Sequence, residues 1–318
     1  MNSIGGYFEL ELRQGEHYHQ HALMLNTARN CLEYILRAKR YKKIFIPYYT
    51  CEVILEPIKK LNIDYEFYSI NQILEPVKKY ELLDHEAFLY TNYFGLKQKI
   101  VANLANNYGR NLIVDNSQAF FAKPLEGIDT FYSARKFFGV PDGAYLYTDK
   151  YLEEDIEQDI SYARMSHLLK RIDVGAEIGY SDFQQNDNLL VGQPIKKMSH
   201  LTDKLLKSID YESVKLRRRK NYEILSKELQ KDNQIEFDFD ENTVPMVYPL
   251  FIDNEVVKNT LLKEKIYVAT YWANVFNWCN YHDVEYQLTK KILSLPIDQR
   301  YEESDMRYIV NVINHIIL

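Results

Sequence analysis

Apolar positions along the chain fall into short blocks that switch between two periods. Ala28, Cys31, Leu32, Ile35 and Leu36 recur at helical spacing, which predicts a helix through about residue 39 with Asn26 or Thr27 as its N-cap. Residues 43–47 read as a strand, 51–61 as a helix, and 65–70 and 87–93 as two more strands. A helix over 98–108, closed by Gly109, leads into the run Leu112-Ile113-Val114, which ends in Asp115. Residues 131–133 and 144–148 read as further short strands, and 8–12 as an extended segment. Strands alternating with helices predict a mainly parallel sheet covered on both faces. In such sheets ligands bind beyond the carboxyl ends of the strands.

The pattern changes after residue 150. From 151 to 197 it is irregular and interrupted by Gly175, Gly179, Gly192 and Pro194, which predicts loops or an interface arm. A long polar helix is expected over 201–229, with Arg217-Arg218-Arg219-Lys220 as a solvated face. Strands at 235–239, 246–252, 266–271 and 293–297 follow, with a helix at 256–265. A last helix starts near Ser304, with Met306, Ile309, Val310, Ile313, Ile316 and Ile317 on one stripe. These features predict a large α/β domain over 1–200, then a linking helix and a small C-terminal α+β domain over 201–318.

A chain of 318 residues, 46% hydrophobic and 26% charged, has the make-up of a soluble globular protein. Its formal net charge of −6 argues against a nucleic-acid binder. No basic region followed by an apolar run opens the chain, and no stretch approaches the roughly 18 apolar residues of a spanning helix. The expectation is a cytoplasmic protein without a membrane partner. Cys31, Cys51 and Cys279 are far apart and form neither a disulfide framework nor a zinc motif. His17, His19 and His21 read as exposed loop histidines, not metal ligands. Asp182, Asp187 and the Asp238/Asp240 pair read as solvated acids.

Candidate chemistry concentrates between Asp115 and Gly143. Ser133 and Lys136 stand in the spacing Ser-x-x-Lys, ahead of turns at Gly139 and at Pro141-Asp142-Gly143. An amine nucleophile, an acid at a strand end and nearby hydroxyls are what a pyridoxal 5'-phosphate (PLP) site needs. Lys136 would condense with the cofactor aldehyde, and Asp115 would keep the pyridine nitrogen protonated. Thr27 and Ala28, at a helix start, with Ser133 would hold the phosphate. Glycine-rich dinucleotide loops, nucleotide-triphosphate loops and a Gly-x-Ser-x-Gly elbow are missing from the sequence.

Taken in order, the chain resembles the DegT/StrS-like (DegT/DnrJ/EryC) sugar aminotransferases, a family of fold-type-I PLP enzymes. Asn26-Thr27-Ala28-Arg29 stands at the family's phosphate-binding turn, and Ile46-Pro47-Tyr48-Tyr49-Thr50 is similar to its Pro-x-x-Thr segment. Asn92-Tyr93-Phe94-Gly95 is similar to its His-Leu-Tyr-Gly. Val114-Asp115-Asn116-Ser117-Gln118-Ala119 resembles its Glu-Asp-Ala-Ala-Gln-Ala. Lys136 falls on the imine lysine. Tyr248-Pro249-Leu250 and Ser294-Leu295-Pro296-Ile297 fit its small domain. The resemblance implies Gln118 beside the cofactor ring or its O3′. Cys51 takes the position where the family stacks Trp or Phe on the ring, with Tyr49 as a substitute. Around Lys197-Met198-Ser199 there is no counterpart of the phosphate-binding Asn of the neighbouring subunit. Tyr93, Tyr271 and Trp272 are the candidate substrate-binding residues.

The expected function is therefore amino transfer from an amino acid such as glutamate to a keto-sugar carried on a nucleotide, in surface-polysaccharide or secondary-metabolite biosynthesis. The resemblance also implies a homodimer. A lyase or desulfurase-type PLP enzyme using Cys51 or Cys279 is one alternative. A non-catalytic relative that binds PLP or a sugar nucleotide is the other.

Overall fold

In the computed structural model, which describes residues 4–253 and 255–317, the alternating blocks assemble into a seven-stranded sheet. Its strands are β1 (Leu23–Leu25), β2 (Lys43–Pro47), β3 (Asp64–Tyr68), β4 (Glu86–Thr91), β5 (Leu112–Asp115), β6 (Asp129–Ser133) and β7 (Ala144–Tyr147). They lie in the order β1-β7-β6-β5-β4-β2-β3. The five strands from β3 to β6 are parallel, whereas β7 runs antiparallel to both β6 and β1. The central strands read as continuous apolar runs because both their faces are covered. Ile44, Ile46, Leu89, Ile113 and Phe131 pack with Leu32 and Ile35 of the helix Ala28–Lys39. On the opposite face Phe45, Phe88, Tyr90, Leu112, Val114 and Tyr132 join a larger core that continues through Leu250, Leu295, Ile309 and Ile313.

The second sheet is the antiparallel pair β8 (Val247–Phe251) and β9 (Ile292–Pro296), flanked by helices Tyr211–Leu229 and Glu303–Ile317. No helix among the described residues is long and apolar enough to cross a membrane. Tyrosine hydroxyls rivet the sheet and its loops: Tyr68 of β3 donates to Leu89 of β4, Tyr90 and Tyr132 donate from strands to the loop carbonyls of Leu74 and Ala122, and Tyr93 joins two loops through the Tyr49 carbonyl, all at 2.7–3.0 Å.

Several expectations are corrected. Residues 8–12 form no strand; Phe8 and Leu10 are exposed and without a ladder, and the first strand is the three-residue β1. The irregular stretch contains a helical hairpin, Ser166–Asp173 and Ala176–Leu189. Gly175, at φ +102°, makes its turn. Gly179 is no breaker: a Cβ there would lie 3.0 Å from the His167 carbonyl oxygen, so its bareness lets the helices approach. The long helix expected over 201–229 is two, His200–Lys207 and Tyr211–Leu229, the second capped by Asp210 accepting from the Ser213 amide at 3.1 Å. Its basic run is not uniformly solvated. Arg217 and Lys220 pair with Glu302 and Glu303, but Arg218 is only 2% exposed.

Residues 235–239 and 266–271 form no strands. The side chain of Asn233 takes up the Phe251 amide and the Pro249 carbonyl, and the second segment makes a single bridge, Ala269 to Ser294. Asp182 is largely covered beside Lys170, and Asp187 pairs with Arg135.

His17 and His19 are buried, not exposed. His17 lies between the Tyr145 hydroxyl and the Asp203 carboxylate, at 2.7 and 2.9 Å. His19 Nε2 donates to the Phe120 carbonyl at 2.8 Å while Nδ1 accepts from the Tyr147 hydroxyl at 3.2 Å, so the neutral ring is satisfied. Burial lowers the His19 pKa from 6.5 to about 4, with the nearby His17 adding to the fall.

Two stability outcomes are expected. The unfolded chain takes up the His19 proton first, so this contribution is complete above about pH 6.5 and is lost as pH falls toward 4, by at most about 3 kcal/mol. Urea midpoints measured from pH 7 to 4 should drop less steeply in His19→Gln. Gly143 sits at φ +109° with Thr202 Cγ2 2.8 Å from where a Cβ would be. Gly143→Ala should lower stability by about 1–3 kcal/mol, read as a fall in the thermal midpoint.

Candidate functional site

Strand alternation aims the polar ends of β5 and β6 at one place. Leu112 and Val114 enter one core and Ile113 the other, so Asp115 shares the face of Ile113, toward the helix Ala28–Lys39. Ser133 shares the face of Phe131 by the same count. In the parallel register Asp115 lies beside Thr91 of β4 and Phe131 of β6. The Asp115 carboxylate is 7% exposed. Burial pushes its pKa up, against the Ser117 amide, which donates to Oδ1 at 2.8 Å, and the charge of Lys136.

Lys136 ends the turn Ala134–Lys136 that follows β6. The amides of Phe137 and Phe138 both donate to the Ala134 carbonyl, and the Ala134 amide donates to Gly143. The Lys136 side chain is exposed, and its Nζ stands 5.7 Å from the centre of the Tyr271 ring. Leu25, Ala144 and Ser133 form one cross-strand row, so the start of the helix after β1 lies alongside the end of β6. There Thr27 acts as an N-cap, its hydroxyl accepting from the Asn30 amide at 3.2 Å while its own amide goes to Asn26 Oδ1. Ala28 is the first helical residue.

Gln118 accepts from the Phe94 amide through Oε1 at 2.9 Å, but its buried Nε2 has no partner. Tyr49 is fully buried, and its hydroxyl is likewise unpartnered. Its ring lies 5.4 Å from Tyr93 and 5.2 Å from Trp272, and Trp272 lies 5.4 Å from Tyr271. Asn274 staples this segment to the loop after β2 by donating to the Thr50 carbonyl at 2.9 Å. Burial raises the Cys51 thiol pKa, which the Lys136 charge draws down and Asp115 pushes up. Burial also pushes Cys279 up to about 12. Lys136, Asp115, Cys51, Tyr49, Tyr93, Tyr271 and Trp272 are thus gathered in one neighbourhood. A cavity of about 430 Å³ lined by His21, Glu126, Tyr147 and Tyr151 is elsewhere, beside β1 and β7.

Sequence reasoning placed Asn92 and Asn116 in family-like segments but gave their side chains no role; they bond at 3.0 Å and tie the loops after β4 and β5. Their position at strand ends was the available signal. Asn274, Arg218 and Gln299 carried none. Among the described residues no group of three or more His, Cys, Asp or Glu is arranged to hold a metal ion.

The residues fit a flat, anionic cofactor. A buried carboxylate calls for a cationic ring nitrogen, the orphaned Gln118 amide for an acceptor such as a ring oxygen, and the helix start for a phosphate.

No family model and no curated protein matches the sequence. Many solved structures share the fold. A DegT DnrJ EryC1 StrS aminotransferase from Brucella abortus is 15% identical with TM-score 0.62, covering 93% of this chain and 86% of that one. DesI, solved in the presence of its TDP-sugar product, is 15% identical with TM-score 0.64, covering 93% and 80%. NtdA from Bacillus subtilis, solved with bound cofactor PMP, is 13% identical with TM-score 0.65, covering 93% and 73%. The architecture is that of these structures: a mostly parallel sheet flanked by helices, with a small antiparallel sheet after it.

Proposed function

We propose that the chain is a PLP-dependent aminotransferase acting on a keto-sugar. The observation that carries the reading is the convergence of Asp115 and Lys136 from adjacent parallel strands, with an unpaired Gln118 donor nearby. The fold supports it, since structures that share it include sugar aminotransferases and one protein holding PMP. Bound PLP supplies a cationic ring that draws electrons from the amino-acid Cα. Lys136 is the residue that would hold the cofactor and carry the proton to and from Cα. Asp115, a poor anion where it is buried, gains a partner in the ring nitrogen. Gln118 Nε2, free of any protein partner, would donate to the cofactor, and Ala28 and Ser133 would hold its phosphate beside the Thr27 cap. Cys51 would stand beside the ring, with the fully buried Tyr49 packed behind it. Half-buried Tyr271 and Trp272 would shield the reacting side from water and offer rings for a sugar to pack on, whereas Tyr93, fully buried with its hydroxyl on the Tyr49 carbonyl, can only back them and not touch the substrate as expected. Glutamate as donor and a nucleotide-linked acceptor, in surface-polysaccharide or secondary-metabolite biosynthesis, complete the reading.

Residues 1–200 would form the cofactor-binding part and 201–318 the part that covers it. A homodimer fits the exposure of Lys136 and of the hairpin side chains Leu169, Ile172, Ile178, Tyr180 and Phe183, an apolar surface suited to a second copy. Desulfurase-type chemistry is disfavoured: it needs a thiolate, and burial raises the pKa of both Cys51 and Cys279.

Purified protein given PLP should develop a visible absorbance band that glutamate bleaches. Lys136→Ala should lack the band and lose at least about a thousandfold in turnover. A bound cofactor whose spectrum glutamate leaves unchanged would favour the non-catalytic alternative. Light scattering should give twice the chain mass; a PLP-loaded monomer would refute the dimer.

A further inference from the structure

Arg218 is a buried cation with no carboxylate at salt-bridge distance among the described residues. Asp298, the carboxylate whose charge acts on it, is taken up by Arg300 at 2.7 Å. The guanidinium instead spends its donors on neutral groups. Nε donates to Gln299 Oε1 at 3.1 Å, and Nη1 to the Met246 and Pro245 carbonyls at 3.0 and 3.4 Å. Nη2 donates to the Phe137 carbonyl at 3.4 Å. The guanidinium also lies over the Phe137 ring, 4.5 Å from its centre. Gln299 closes the circuit by donating from Nε2 to the same Phe137 carbonyl at 2.8 Å.

Burying an arginine without a counter-ion is costly, and burial lowers its pKa to about 10. What it holds is the carbonyl and ring of the residue immediately after Lys136. The amides of that turn are already anchored on the sheet side through Ala134 and Gly143. Arg218 and Gln299 add a second hold on the turn, from the side of the C-terminal elements, through the Phe137 carbonyl. Arg218 belongs to the helix Tyr211–Leu229 and Gln299 to the loop after β9. The grip therefore links the turn that bears the amine to the C-terminal third of the chain.

We propose that Arg218 and Gln299 are a positioning pair for Lys136, setting where its amine meets the cofactor. The proposal rests on the reading of Lys136 as the PLP lysine. Half-buried Gln299 is the safer variant: Gln299→Leu keeps the size and removes both the donor and the acceptor. Arg218→Lys keeps the charge and loses the planar fork.

The experiment mixes each protein with PLP, quenches with borohydride at intervals, and measures PLP fixed to the Lys136 peptide by mass spectrometry. The pH midpoint of the visible band is recorded alongside. Capture in both variants should be slower by about tenfold or more, with a displaced midpoint and an unchanged far-UV circular dichroism spectrum. Wild-type capture rate and midpoint in the variants would overturn the pair, as would a lower thermal midpoint with unchanged capture, since only a structural role would remain. If wild type itself is never captured at Lys136, the PLP reading fails and the pair with it.

Discussion

A carboxylate at the end of a buried strand is the constraint on which the site depends. Asp115 lies there because β5 pairs in parallel register with β4 and β6, and that register fixes which residues stand beside it. Shifting β5 by one residue would turn Asp115 into the opposite core and bring Val114 to the site face. The side chains of Asn92 and Asn116 hold the loops at that edge, and the turn carrying Lys136 is pinned between Ala134 and Gly143. The acid and the amine are neighbours through backbone pairing, with no direct salt bridge between them.

How much of this was legible follows from the range of the interactions involved. Strand β5 and the helix Ala28–Lys39 are local matters of apolar spacing and a capping residue, and both were readable. So was the acid at the end of the strand, because a buried run that ends in Asp is already unusual. The helical hairpin was not readable, because glycine signals both a break and a close approach, and Gly175 does the first while Gly179 does the second. The strands expected at 235–239 and 266–271 had suitable residues but lacked a partner edge, which is decided far away in sequence.

The basic run shows the same limit within one helix. Four consecutive cations face different directions at 100° per residue, so one of them must point inward if the helix packs on that side. Nothing in the run itself says that it is Arg218, because the choice is made by Gln299, Phe137 and the carbonyls of Pro245 and Met246. His17 and His19 were misjudged for a similar reason. Their partners, Tyr145, Asp203, Phe120 and Tyr147, lie more than a hundred residues away.

The tyrosine rivets carry a consequence at the alkaline end of the pH scale. Tyr68, Tyr90 and Tyr93 are sealed from solvent, and burial raises their phenol pKa values far above 10. An unfolded chain ionises such rings near pH 10, whereas the folded one must open to do so. Each rivet therefore becomes a wedge above that point, and base should open the β3–β4 edge and the loops around residues 49, 74 and 93 that these hydroxyls hold.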